Sequence, residues 1–272
     1  MISDERVFSL LKNIVEKVDR KKYPGSMDLI EKCVLPEEHL VVGMPYGIAQ
    51  TFLERDREMV MPAEIEEFVV EIMNDEISIG DYQAAEDLGI SYYTGRIGNK
   101  DYGEAVRYLT LADEHGFETS KEYLGYCYYF GKGCQQDYEK AFNFFVPGAL
   151  NGRMGSLIMM ADMYRKGEYI SADPALAFQI YDRCLHMLDA ETTSVYGADV
   201  AVRMADCSFD GTGTCVDYMN ALMFYQKAEQ LYYVKTLDRK PVSKADFTRA
   251  VERQKEVRIR LEEEIPPTKW AE

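Results

Sequence analysis

Apolar positions along this 272-residue chain fall at helical spacing from its first residues. Val7, Leu10, Leu11, Ile14, Val15 and Val18 form one stripe of a helix predicted over 3–21. Residues 26–35 read as a second helix, and 46–59 followed by 62–77 as a helix pair. Near the other end, Ser243 and Asp246 predict the start of a helix with Phe247, Ala250, Val251, Gln254, Val257 and Leu261 on one face and Arg and Glu on the other. A frayed tail is expected from Ile265-Pro266-Pro267 onward.

Between these flanks the pattern repeats. The segments Leu88-Gly89-x-x-Tyr92-x-x-Gly95, Leu124-Gly125-x-x-Tyr128-x-x-Gly131, Met160-Ala161-x-x-Tyr164-x-x-Gly167 and Met204-Ala205-x-x-Ser208-x-x-Gly211 end on glycines 36, 36 and 44 residues apart. Six residues after each glycine stands Asp (Asp101, Asp137, Asp173, Asp217), and four beyond that Ala (Ala105, Ala141, Ala177, Ala221). Three further on is a large apolar residue: Tyr108, Phe144, Ile180, Phe224. Each column has a physical reading. Leu and Tyr at i and i+4 share a helical face, and the small residue beside Leu admits a neighbouring helix. The glycine stops that helix because a left-handed residue costs it nothing. The Asp then caps a second helix by accepting from its unpaired N–H groups; Glu104 suggests a capping box with Asp101, and Pro174 takes the first helical position after Asp173. Each unit is thus predicted to be a helix hairpin, and repetition at this period signals a stacked array. Two departures stand out. The last interval is longer by residues 189–196, which read as a polar surface insertion, and Pro147 is expected to kink or end its helix early.

These columns resemble the Sel-one-like repeat (SLR), a branch of the tetratricopeptide-repeat (TPR) superfamily. Ala85, Leu88, Gly89, Tyr92, Gly95, Asp101, Ala105, Tyr108, Ala112 and Gly116 match its pattern, and the second copy adds Gly131, Gly133, Lys140, Ala141, Phe144 and Gly152. The third and fourth copies drift, with Ala161 and Ala205 in place of Gly. The resemblance implies an all-α fold, a right-handed superhelical solenoid of stacked antiparallel helix hairpins. The expected organisation is a helical N-terminal region over 1–60, a degenerate repeat helix over 61–79 and four repeats over 80–233. A capping helix over 234–264 would close the open apolar end of the stack, and 265–272 would form the tail.

Charge narrows the range of partners. Forty-seven acidic against thirty-one basic residues leave a formal charge of −16. That balance argues against nucleic acid, whose phosphates are bound by Lys and Arg, and against a polybasic membrane anchor. The charged N-terminus and the lack of a long apolar run predict neither signal peptide nor membrane span, and so a cytoplasmic protein.

Catalytic and metal chemistry find little support. His39, His115 and His186 are scattered, and none stands at a metal-ligand or triad spacing. Cys127 with Cys134 and Cys207 with Cys215 read as core and turn residues kept as free thiols; their C-x6-C and C-x7-C spacings do not suit zinc. Ser9-x-x-Lys12 echoes the penicillin-binding nucleophile motif, to which some SLR proteins are linked, but eleven Ser and sixteen Lys make such a pair common by chance. No cofactor is expected, and the chain is not expected to be an enzyme.

By the resemblance to TPR proteins, partners would bind first-helix positions −5, −2, +2 and +5 from the Leu column. In the four copies the −2, +2 and +5 positions are Glu86, Ile90 and Tyr93; Glu122, Tyr126 and Tyr129; Ile158, Asp162 and Arg165; and Val202, Asp206 and Phe209. This mixture of acid and aromatic suits a basic, partly apolar peptide or helix of a partner protein. An equal reading is that Tyr93, Tyr129 and Phe209 pack between units. The expectation is therefore a protein-interaction scaffold, monomeric or weakly self-associating. The alternative is a small-molecule or cell-wall-fragment binder, or an enzyme, using the irregular N-terminal region.

Overall fold

The computed structural model describes residues 2–21, 23, 27–28, 30, 34–35, 40–41, 45–55, 61–237 and 242–264. The predicted 265–272 tail, His39 and the end of the 46–59 segment lie outside the described residues. The chain divides into two compact units, residues 1–144 and 145–272.

The first unit opens with α1 (Asp4–Lys17), capped by Ser3. Its stripe is buried as expected, except that Val15 is exposed. The helix read over 26–35 does not run that far. Val34–Leu35 (β1) pairs antiparallel with Leu40–Val41 (β2), so backbone groups there bond across a ribbon instead of along a helix. Helices α2 (Pro45–Arg55) and α3 (Ala63–Ser78) pack through the edge-to-face pair Phe52–Phe68. Their core includes Ile65, Val69 and Ile72 together with Leu10, Leu11 and Ile14 of α1. The first true repeat follows as α4 (Gln83–Thr94) and α5 (Tyr102–Glu114). The second is α6 (Glu118–Phe130) and α7 (Tyr138–Leu150), and α7 crosses from the first unit into the second.

The second unit holds the third repeat, α8 (Met154–Lys166) and α9 (Pro174–Met187), and the fourth, α10 (Ala190–Asp210) and α11 (Tyr218–Leu237). Helix α12 (Lys244–Glu264) packs on α11, burying Ala250 and Val257 against Ala221, Tyr225 and Ala228; residues 234–237, read with it in the sequence, instead continue α11. Apart from the ribbon, the regular elements among the described residues are helices, and hairpins stack within each unit as in an αα-superhelix fold.

The repeated columns do what their chemistry predicts. Each terminal glycine is left-handed and donates its N–H to the residue four back: Ser91, Cys127, Met163 and Cys207. Each Asp side chain accepts from the new helix, at 2.9–3.0 Å. The capping box suggested for Asp101 is not closed. Glu104 instead holds Arg107, and the Asp101 N–H donates to the Tyr92 carbonyl at 3.2 Å. The same bond recurs from Asp137 to Tyr128, Asp173 to Tyr164 and Asp217 to Ser208 at 2.8–3.0 Å, so one turn geometry is used four times. Tyr92 stacks on Tyr108 and Tyr128 on Phe144 with nearly parallel rings. A Cβ on Gly89 would lie 2.6 Å from the Leu109 side chain, so the small-residue column does set the helix approach.

The 189–196 insertion lies at the surface and is helical: residues 190–196 form the first two turns of α10, started by a full capping box between Asp189 and Thr192. Helix α7 does not end at Pro147 but continues to Leu150: the proline forgoes its own bond to the Asn143 carbonyl, while its carbonyl still accepts from the Asn151 N–H at 3.1 Å. The column after the aromatic one was not singled out in the sequence, yet Leu109, Phe145, Tyr181 and Tyr225 are all fully buried.

Candidate functional site

The −2 positions are covered in every repeat: Glu86 and Glu122 are 7% exposed, Ile158 5% and Val202 8%. Glu86 shows why. Its Oε1 accepts from the backbone N–H (2.9 Å) and hydroxyl (3.1 Å) of Ser120 on the next repeat's first helix, so the carboxylate ties α4 to α6.

In the second unit the +2 acids are also committed. Asp162 accepts from the Tyr181 hydroxyl on its own hairpin and from both Nε (2.8 Å) and Nη2 (2.6 Å) of Arg203 on the next first helix. Burial would raise the Asp162 carboxyl, but Arg203 and the Tyr181 hydroxyl outweigh it and hold the acid below the usual carboxylate range. Burial and the adjacent Asp162 push the Tyr181 hydroxyl upward, so it remains a donor. Asp206 repeats the clasp one unit later, accepting from Tyr225 at 2.5 Å and from Arg249 of α12. At the +5 position Phe209 packs on Tyr218 and carries Arg253 over its ring at 5.1 Å. Arg165 is partly buried, with its Nε lacking a hydrogen-bond partner. The acids of this face are therefore inter-repeat fasteners matched by arginines.

The first unit presents a different surface. On α4, Asp87 lies one turn before Ile90 and is held by neutral donors: Tyr46 at 3.3 Å, Gln50 at 3.2 Å and Gln83 at 3.1 Å. Burial and the charges of Asp87 and Asp81 push the Tyr46 hydroxyl upward. Glu76 is likewise raised, by burial and then by Asp81 and Asp75, which marks a zone of concentrated negative charge at the turn from α3 to α4. Between Glu58 and Gly95 the sequence carries ten acidic residues and neither Lys nor Arg.

At the far end of α4 the rings gather. Tyr93 meets Tyr102 edge-on at 5.4 Å and Tyr123 at 5.2 Å, with Tyr126 at 6.4 Å. The ammonium of Lys132, from the Gly131-Lys132-Gly133 turn, lies about 5 Å over the rings of Tyr93, Tyr102 and Phe130 and 3.3 Å from the Tyr93 hydroxyl. Ile90, Tyr93 and Tyr126 keep part of their surface, whereas Tyr129 is buried beside Tyr138. Lys132, Ser120, Arg203 and Arg249 were not singled out from the sequence. The Glu86 and Ser120 columns, each repeated 36 residues later as Glu122 and Ser156, were the one available signal.

Ser9 and Lys12 are exposed on α1 beside a surface depression of about 290 Å³ that Arg6 and Glu67 also line. Lys12 is turned toward Glu16 at 3.8 Å, and the open setting supplies none of the desolvation that activates a nucleophile. His115 ends α5 stacked on Tyr82, and His186 bonds the Asp182 carbonyl of its own helix. Cys127, Cys134, Cys184, Cys207 and Cys215 are free thiols, and burial pushes Cys127 up to about 12. Among the described residues no group of His, Cys, Asp and Glu could hold a metal ion, and no helix is long and apolar enough to cross a membrane.

Comparison with known proteins places this architecture. The fold is similar to a Sel1 repeat protein from Oxalobacter formigenes, with 21% identity over 84% of this chain and 86% of that one and a TM-score of 0.54. It is also similar to c5321, a protective antigen of uropathogenic Escherichia coli with an SLR fold, at 18% identity and a TM-score of 0.53; that match covers 94% of this chain and 56% of the other. No curated protein matches. The family described as Sel1 repeat matches residues 83–117, 121–152, 156–183 and 198–233, the same four hairpins that the glycine, aspartate and alanine columns delimit. The chain therefore belongs to the Sel1-repeat family, within the TPR-like superfamily.

Proposed function

We propose that the protein is a non-enzymatic interaction scaffold that captures a basic, partly apolar segment of a partner protein on the first-helix face of its first unit. Sel1 repeats are commonly protein-interaction scaffolds, which supports the class of function. The observation that carries the narrower reading is Asp87. Its charge is held by Tyr46, Gln50 and Gln83, unlike Asp162 and Asp206, whose charges arginines already answer. A cationic side chain arriving there meets a carboxylate that no Lys or Arg among the described residues answers, beside other acids. Apolar and further cationic groups then meet Ile90, Tyr93 and Tyr126, where Lys132 already exemplifies a cation on these rings.

The charge balance supports the same end of the chain. Residues 1–144 hold 28 acidic against 15 basic side chains, and residues 145–272 hold 19 against 16. Opposite charge both steers a basic partner and selects against acidic ones. The test compares wild type with Asp87→Lys and Tyr126→Ala for proteins captured from lysate of the native host, with Glu139→Lys on an outward helix face as control. Loss of the same basic partner from the first two variants, with retention by the control, supports the site. Equal capture by all four proteins removes this face from consideration.

A further inference from the structure

On the face of the second unit that holds Asp162 and Asp206, arginines outnumber the acids they meet. Asp162 accepts from Tyr181 and Arg203, and Asp206 from Tyr225 and Arg249, so both oxygens of each buried carboxylate are taken. Arg253, one turn beyond Arg249 on α12, holds Glu256 and lies over the Phe209 ring. Arg165, in the last turn of α8, is left over. Its Nε is buried without an acceptor, and among the described residues its guanidinium makes no ion pair. A buried donor left unpaired carries its full desolvation penalty, and such groups are rare in folded chains.

The other repeats act as internal controls. The column of Arg165 holds Tyr93, Tyr129 and Phe209 in the first, second and fourth repeats. Each of these rings packs on the aromatic residue that opens the second helix of its own hairpin: Tyr102, Tyr138 and Tyr218. In the third repeat both members of the pair are exchanged, for Arg165 and Pro174. The hairpin therefore does not need an arginine at this column, and the packing that the column serves elsewhere is given up where the arginine stands.

We infer that Arg165 is a binding site for a carboxylate that comes from outside the chain. The same face shows the geometry. Arg203 holds Asp162 through Nε and Nη2 together, two parallel bonds to two oxygens, and that edge of Arg165 is unfilled. Burial works against the Arg165 charge, while the Tyr181 hydroxyl, Asp162 and Asp206 act on it through space and sustain it. Those two acids repel a dianion about twice as strongly as a monoanion, which favours a carboxylate over a phosphate. Part of the residue faces solvent, and turning the fork toward arriving oxygens frees Nε from its unpaired position. The near balance of charge in residues 145–272 lets an anion approach. This site calls for the charge opposite to the one drawn to Asp87 and does not depend on that contact.

The test follows the Nε–Hε signal of Arg165 in nitrogen–proton correlation spectra of the full chain, identified by its loss in Arg165→Lys. Sodium acetate and an acetylated, amidated peptide of glutamates are titrated separately from about 0.1 mM to about 10 mM. A saturable downfield shift with either, absent with sodium chloride at equal ionic strength, supports the site. A peptide midpoint roughly tenfold or more below that of acetate assigns the carboxylate to acidic side chains of a protein. Equal midpoints per carboxylate assign it to a free small acid. Arg165→Met, which keeps an apolar stem, should hold or raise the melting temperature, since no hydrogen bond is lost. The inference is overturned if neither carboxylate moves the signal, if chloride moves it as far, or if inorganic phosphate binds more tightly than acetate. It is equally overturned if Arg165→Met melts well below wild type, since the guanidinium would then serve the packing of its own repeat.

Discussion

A carboxylate that accepts from a tyrosine and an arginine on two different helices fixes the angle between them, and Asp162 and Asp206 each do this once. Removing one partner of such a buried pair leaves the other charge uncompensated. Asp162→Asn is therefore expected to lower stability by about 3 kcal/mol at neutral pH, read from urea unfolding. The sign of its pH dependence follows from a folded carboxyl held below its unfolded value. The stabilisation is complete above about pH 4 and is lost as pH falls through the lower folded value, so the difference between wild type and variant should shrink only in strong acid. Backbone constraint supplies a second pair of expectations. Gly133 is left-handed, and a Cβ there would fall on the Tyr102 carbonyl; Gly133→Ala should cost more than about 2 kcal/mol. Tyr169 occupies the same column of the third repeat with φ of 67°. Tyr169→Gly should stabilise by up to about 1 kcal/mol, the relief of left-handed strain less the glycine's added freedom when unfolded. Unfolding midpoints moving the other way in either variant would contradict this account of the turn.

Among the elements, α10 shows how an insertion is absorbed. Eight extra residues between two repeats are most simply read as a loop, but Asp189 and Thr192 satisfy each other's backbone N–H groups and begin a helix at once. Glu191 in the first turn adds favourable charge there. The longer α10 matches the longer α11, and Gly197 lies against Leu231 where the two run side by side. Asp189→Ala should cost about 1 kcal/mol, and amide exchange should quicken in residues 190–196 before it changes elsewhere in α10. Uniform exchange along the helix would mean that packing, and not the cap, holds these turns.

For the molecule as a whole, charge and apolar surface are distributed unevenly along the chain. Acidic excess lies in residues 1–144, while six of the large exposed apolar side chains lie between Val216 and Leu237. At about 1 M the screening length falls to about 3 Å, so capture of a basic partner should weaken steeply across a salt series, and capture unchanged by salt would mean that the acidic surface does not carry it.

The helix hairpins, their boundaries and their stacking could be read from the sequence because backbone and close-packing requirements act at fixed spacing. A left-handed stop at Gly95, a cap at Asp101 and a small residue at Gly89 each admit few substitutes, so they recur visibly at each interval. The recognition face was less legible. Asp162 and Asp87 are both acids on first helices, and only the tertiary structure distinguishes the one neutralised by Arg203, 41 positions away, from the one bonded by Tyr46, Gln50 and Gln83. Whether a charge is available to a partner depends on what the neighbouring hairpin brings beside it, and that neighbour is set by packing. The sequence by itself determined the repeating unit; which of its polar side chains remain open, and which are spent holding one repeat to the next, was decided only when the hairpins stacked.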